Sequence, residues 1–432
     1  MKLSHESPLE VVAHIIFLLA IILFVAKFAG EISERYLKIP PVLGELIAGI
    51  LISPYLLGGI HWFNSKPIFE IFDDGHSVLP VEPQLFFIAQ MAAVILLFEV
   101  GLETDRKKFF QYIKPASAVA LGGVFLPFLL GFFATISLGF ASFDSINELI
   151  PALFVGAIMT ATSVGISARV LTDMGKLSSP EGVTVLAAAV VDDVLGIVIL
   201  AVVVGISADG NVTLSSIVTI LLKALGFWLG LMFIGSLLAS RISKIIMWFN
   251  VQGATIAIVL ALALLAAAVA EIYFGLAMII GAYTMGLALS DTDLMHHVEK
   301  PMKSINDFLV PIFFVVIGMQ VDFSAFGSDP DVSLSSAIIF TVVLTIFAVF
   351  SKMFGSGFPA LFVGFTKKGS YRIALGMLPR GEVALIIAGI GLSAGIIDQT
   401  IFGASIVMTV ITTIIAPILL KSAFKSGDGV KK

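Results

Sequence analysis

Apolar runs of about 18 residues or more, each closed by glycine, proline or charge, recur along almost the whole chain. They predict about 13 membrane-spanning helices, over residues 9–30, 41–60, 85–102, 115–139, 149–172, 182–207, 212–240, 253–271, 275–290, 304–320, 334–362, 370–395 and 398–420. These runs lack the polar face that a soluble helix turns to water, so the class expected is all-α and polytopic. The first run follows Lys2 balanced by Glu6, with no basic n-region and no small-residue cleavage site, and is expected to be a retained helix.

The hydrophobic pattern also repeats. Leu97–Asp105 lies over Phe314–Asp322 at an offset near 217, glycine on glycine at Gly101 and Gly318. One span earlier, Gly44 and Gly49 match Gly281 and Gly286 in spacing, the offset being enlarged by the long connection from His61 to Gln84. The matched spans are the second with the ninth and the third with the tenth. Seven spans separate the copies, so they are expected to run oppositely across the bilayer, an inverted repeat. The same register pairs the fifth span with the twelfth. Both are punctuated in mid-run, by Thr160-Ala161-Thr162-Ser163-Val164-Gly165 and by Pro379-Arg380-Gly381-Glu382. There a helix can unwind and offer backbone groups to an ion, which is tolerable only against protein or a cavity. Broken helices are therefore expected to cross at the midplane.

Charge gives an orientation. With 58% hydrophobic and 13% charged residues and a mean hydropathy of +1.08, little of the chain is left to face water. One alternate set of connections, with the C-terminal tail, holds 20 of the 25 basic residues, and the opposite set holds only Lys2 and Lys66. The rule that basic loops stay in the cytoplasm then expects the N-terminus outside, the C-terminus inside and a cell (inner) membrane location. A net charge of −5 gives no basic footprint for nucleic acid, and the absence of cysteine excludes disulfides, thiolate metal sites and cysteine nucleophiles. No cofactor is expected.

Candidate chemistry lies in the charges that fall inside spans. Asp192 and Asp193 interrupt the otherwise apolar Ala187–Leu200, and each costs roughly 2.5–3.5 kcal/mol to insert, so something must bind them. Lys352, in the eleventh span, is the natural partner for one carboxylate. Successive helix residues point about 100° apart, so the other stays open to a cation or a proton. The competing reading is a packing ion pair only. Arg380 and Glu382 flank a break, where they can compensate exposed helix-end charge or take part directly in transport. Glu99 ends the third span near an interface, where snorkelling is cheap. His296 and His297, beside Asp293, are expected in a solvated loop, with metal binding or pH sensing as the alternative.

Six segments carry a resemblance: Pro41–Glu45, Gly101–Glu103, Ala161–Arg169, Val191–Gly196, Pro311–Phe314 and Pro379–Val383. By them the chain resembles, over nearly its whole length, the monovalent cation:proton antiporter-2 family, and within it the bacterial NapA-type sodium/proton antiporters. The resemblance implies a scaffold and dimerisation domain (residues 9–110 and 253–325), a core ion-transport domain (115–207 and 334–420), a linker helix (212–241) and a short cytoplasmic tail (421–432). It implies a homodimer in the lipid bilayer. It also implies that Asp193 binds the transported monovalent cation, that Asp192 pairs with Lys352, and that Thr162 and Ser163 lie at the unwound crossing. Glu99 departs from the family pattern and leaves room for an extra titratable site.

The activity so implied is secondary exchange of H⁺ for Na⁺, with Li⁺ as a further cation, by alternating access and with net charge movement. Competition for one desolvated carboxylate would supply the coupling. The alternative within the family is K⁺/H⁺ exchange or potassium efflux of the KefC type. Such systems commonly carry a nucleotide-binding domain, and none is expected here, since no G-x-G-x-x-G follows the last span. A cation channel is a rival outside the family. An intramembrane aspartyl protease is disfavoured, since neighbouring aspartates on one helix diverge.

Overall fold

The computed structural model describes residues 7–61, 67–73, 78–79, 81–209, 214–322, 332–425 and 429–430. Its helices are α1 (Pro8–Ile32), α2 (Pro41–Ile52), α3 (Pro83–Glu103), α4 (Arg106–Ser137), α5 (Ile146–Thr160), α6 (Val164–Asp173), α7 (Pro180–Asp209), α8 (Leu214–Trp248), α9 (Ala254–Phe274), α10 (Met278–Leu289), α11 (Leu294–Met319), α12 (Leu334–Phe362), α13 (Lys367–Gly376), α14 (Glu382–Ser393) and α15 (Gln399–Ala423). Among the described residues the only paired strands are the two-residue hairpin of β1 (Phe72–Asp73) and β2 (Val78–Leu79).

Among the described residues, eleven spans are long and apolar enough to cross a membrane, and α5 with α6 counts as one of them. The shorter apolar helices Met278–Leu289 and Val383–Leu392, the second continuing α13, complete the expected set of spans. Local chemistry sets the ends. Asp105 caps α4 by accepting from the amides of Lys107 (2.9 Å) and Lys108 (3.1 Å), Asp398 caps α15 by accepting from that of Ile401 (2.7 Å), and Gly275 ends α9 at φ 65°, where a side chain would strain.

Two sequence expectations need correction. Helix α11 starts at Leu294, ten residues before the expected 304, so His296 and His297 are helical rather than in a loop. Its first turns are polar on one side, and apolar runs do not register them. Among the described residues, no three His, Asp or Glu side chains gather as a metal site. Arg372, counted with the basic connections, lies in α13 and is 5% exposed.

The chain divides into two compact units, Met1–Leu96 with Lys300–Asp322 and Leu97–Glu299 with Phe323–Lys432. In the first, α2 and α11 touch backbone to backbone at Gly49 and Gly318, where a Cβ on either would strike the other helix's carbonyl. In the second, α3 and α10 touch in the same way at Gly101 and Gly286. The expected repeat would exchange Gly49 with Gly286 and Gly101 with Gly318, and these two contacts match that exchange. Gly122 of α4 and Gly355 of α12 make a third such contact, which lets two long helices meet without intervening side chains. The core of the second unit is built by α5, α7, α12, α14 and α15 around Phe154, Ile158, Phe340, Leu344, Ala388 and Met408.

Candidate functional site

The two breaks serve each other. Helix α5 stops at Thr160, and Ala161 to Ser163 run extended before α6 begins. Helix α13 stops at Gly376, since Pro379 has no N–H to give and biases Leu378 away from the helical region. Helix ends leave amides and carbonyls unfilled. Here the Ser163 amide donates to the Pro379 carbonyl at 2.8 Å, and the Ser167 hydroxyl to that of Gly376 at 2.6 Å. The Thr162 hydroxyl lies 3.4 Å from the Met377 carbonyl oxygen and also bonds Asp192. Its single proton serves one of these acceptors at a time.

The same C-terminal end of α5 also carries the cations. Carbonyls at a helix C-terminus bear negative partial charge, which favours positive groups. Lys352 donates to the Thr160 carbonyl (2.7 Å), and Arg380 Nη2 to that of Met159 (2.8 Å) and, more weakly, to that of Ala348 (3.3 Å). Both cations are 0% exposed. Lys352 Nζ also reaches the Gly123 carbonyl (2.8 Å) and both Asp192 oxygens (3.2 and 3.3 Å). The Gly123 oxygen is available because its helical donor would be residue 127, which is Pro127 inside α4. The three ammonium protons therefore have three destinations, two fixed carbonyls and one carboxylate.

Asp192 and Asp193 sit near the middle of α7, 3% and 6% exposed. Asp192 faces Lys352 and Thr162, while Asp193 points a different way round the helix, still within electrostatic reach of Lys352. The Nε and Nη1 atoms of Arg380 have no hydrogen-bond partner among the described residues, and the Arg380 carbonyl accepts from the Thr413 hydroxyl of α15. Glu382 is the first residue of α14, and its side chain lies outside the described residues. Glu99 is partly buried on α3, about one turn before the helix ends at Glu103. So Asp192, Asp193, Thr162, Ser163, Lys352 and Arg380 gather around one crossing.

Sequence reasoning missed a second buried ion pair. Arg372 Nη1 donates to Glu181 Oε1 at 2.6 Å with both side chains about 5% exposed, tying the first turn of α7 to α13. The ring of Phe424 lies 4.8 Å from the guanidinium carbon, and the Ala423 carbonyl accepts from Arg372 Nε at 3.2 Å. Glu181 lies in the first turn of α7, and Arg372 counts by sequence with a basic connection, and in neither place does a charge raise alarm. The one available hint was Glu181 directly after Pro180, a helix-start pair.

The transmembrane family described as sodium/hydrogen exchanger matches residues 15–426. The chain is 35% identical to the high-affinity Na(+)/H(+) antiporter NhaS3 of Synechocystis sp., across 99% of this chain and 92% of that one. It is 36% identical to the Na(+)/H(+)-K(+) antiporter GerN of Bacillus cereus, across 96% and 98%. The solved structure of the sodium proton antiporter MjNhaP1 of Methanocaldococcus jannaschii superposes with a TM-score of 0.63 over 96% of this chain and 100% of that one. At 21% identity that likeness concerns the fold alone. With its broken helices, its all-helical membrane architecture and a match over nearly its full length, the chain belongs to the sodium/hydrogen exchanger family.

Proposed function

We propose that this chain is a transporter, not an enzyme, and that it exchanges H⁺ for Na⁺, and for Li⁺, across a cell membrane by alternating access. The observation that carries the reading is Asp193, a buried carboxylate beside a neighbouring aspartate already held by Lys352, at the crossing of two broken helices. Relatives named as Na⁺/H⁺ antiporters over almost their whole length support it. In this reading Asp193 takes a proton or a monovalent cation, one excluding the other, with Thr162, Ser163 and the unwound backbone as further oxygen ligands. Once Asp193 is neutralised by either ligand, the core can change the side it exposes, whereas carrying a bare carboxylate across would cost several kcal/mol. An inward proton gradient then drives the cation out.

The core is residues 115–207 and 334–420, the scaffold residues 9–110 and 253–325, and residues 212–241 link them. The two glycine packings with exchanged partners support an inverted repeat. The distribution of lysine and arginine supports an outside N-terminus, a cytoplasmic C-terminus and a cytoplasmic-membrane location. The scaffold is the face for a homodimer.

The test is cation-dependent proton flux in proteoliposomes with Na⁺, Li⁺ and K⁺ offered singly, K⁺ being included because GerN is named for it. Asp193→Asn is nearly isosteric, so it should keep the fold and abolish exchange. Sodium-driven dequenching of a pH dye by that variant at the parent's rate would sink the assignment.

A further inference from the structure

Between α12 and α13 lies an apolar furrow with a cavity of about 300 Å³, walled by Phe354, Phe358 and Leu361 on one side and by Tyr371 and Ala374 on the other, with Lys367 at its end. The helices touch at Gly357, where an added Cβ would come 3.1 Å from the Ala374 Cβ, so the bulkier side chains nearby stand apart. Phe354 and Phe358 are about 60% exposed, and on a membrane-spanning helix that surface meets hydrocarbon. The charge at the end of the furrow is unusual. Lys367 and Lys368 are the first two residues of α13 and are exposed, with no acidic residue in that first turn. Cations at a helix N-terminus oppose its dipole, a placement that an anion bound there would reverse. No Asp or Glu occurs between residues 332 and 381, and neither lysine has a carboxylate partner among the described residues.

We propose that this furrow binds an anionic phospholipid, with an acyl chain along α12 and the headgroup phosphate on Lys367 and Lys368. An acyl chain fits the apolar walls, and basic residues beside a span attract anionic headgroups. Bound lipid would brace α12, which carries Lys352, against α13, which runs into the break at Pro379.

The experiment is thermal melting of the purified full chain in detergent with added phosphatidylglycerol, phosphatidylcholine or inorganic phosphate. Phosphatidylglycerol should raise Tm saturably, and the other two should not. Lys367→Gln with Lys368→Gln should melt at least as high as the parent without lipid, yet need roughly 30-fold more phosphatidylglycerol for the same rise. In a second measurement, the fluorescence of the Leu361→Trp variant should be quenched by phosphatidylglycerol with brominated chains, and quenched more weakly when both lysines are replaced. An equal response to phosphatidylcholine would mean hydrocarbon contact only. A full response to phosphate alone would mean a free-anion site. An unchanged response in the double-lysine variant, or no added quenching in the Leu361→Trp variant, would place the lipid elsewhere. Any of these overturns the proposal.

Discussion

Replacing Lys352 with glutamine probes both halves of the site, because the side chain holds Asp192 and two backbone carbonyls at once. Glutamine is shorter and has two N–H donors, so it can serve at most part of that set. The Asp192 carboxylate is left buried without its cation, a loss of about 3–5 kcal/mol. Adding Asp192→Asn removes the orphaned charge, and the double variant should recover most of the loss, leaving about 1–3 kcal/mol for the underserved carbonyls. The same geometry bears on the transported charge. A neutral amine keeps two N–H donors, enough for the Gly123 and Thr160 carbonyls, so the proton directed at Asp192 is the one that can leave without dismantling the rest. If that proton moves in each cycle, residual exchange by Lys352→Gln should ignore an imposed potassium/valinomycin potential. The assay is proteoliposome exchange with and without that potential, beside melts of both variants. A lowered Tm with unchanged voltage dependence would refute the proton-carrier role. A double variant no more stable than the single would refute the ion-pair arithmetic.

Two further expectations concern charges away from the crossing. Arg372→Met should cost about 3–5 kcal/mol by stranding Glu181, and adding Glu181→Met should restore most of it, since an apolar pair of similar volume replaces the ions; a melt of the double variant no higher than that of the single would count against a coupled pair. Glu82, just before α3, is held above the ordinary carboxylate range by burial, opposed by a weaker bond to His14 at 3.3 Å. A carboxyl so raised favours the folded state only while it is protonated, and that contribution fades as pH rises through its folded-state pKa. Glu82→Gln should therefore melt at least as high as the parent at pH 8, with any advantage closing as pH falls below the ordinary carboxylate range; a variant less stable at pH 8 would show that the bond to His14 outweighs burial.

What could be read from the sequence followed from contrast. In a chain this apolar, Asp192, Asp193, Lys352 and Arg380 stand out because each needs a partner in hydrocarbon, and few partners exist. The two breaks were legible for a similar reason: proline, glycine and clustered hydroxyls are conspicuous inside apolar runs. Where polar residues are ordinary the contrast fails. Glu181 sits at a helix start, Arg372 fell among the basic residues of a connection, and the first turns of α11 are polar, so the ion pair and the helix start both passed unseen. The partners of Lys352 escaped for a different reason, since a backbone carbonyl has no letter in the sequence. The Gly123 oxygen can still be inferred one step removed. A proline in a helix frees the carbonyl four residues earlier, so Pro127 on a helix that faces a buried lysine marks residue 123 as an acceptor in want of a donor. The useful pairing is thus a lone intramembrane cation with a mid-helix proline on a different span. Pro127 and Lys352 together imply that α4 and α12 pack directly, and the contact of Gly122 with Gly355 provides the room for it.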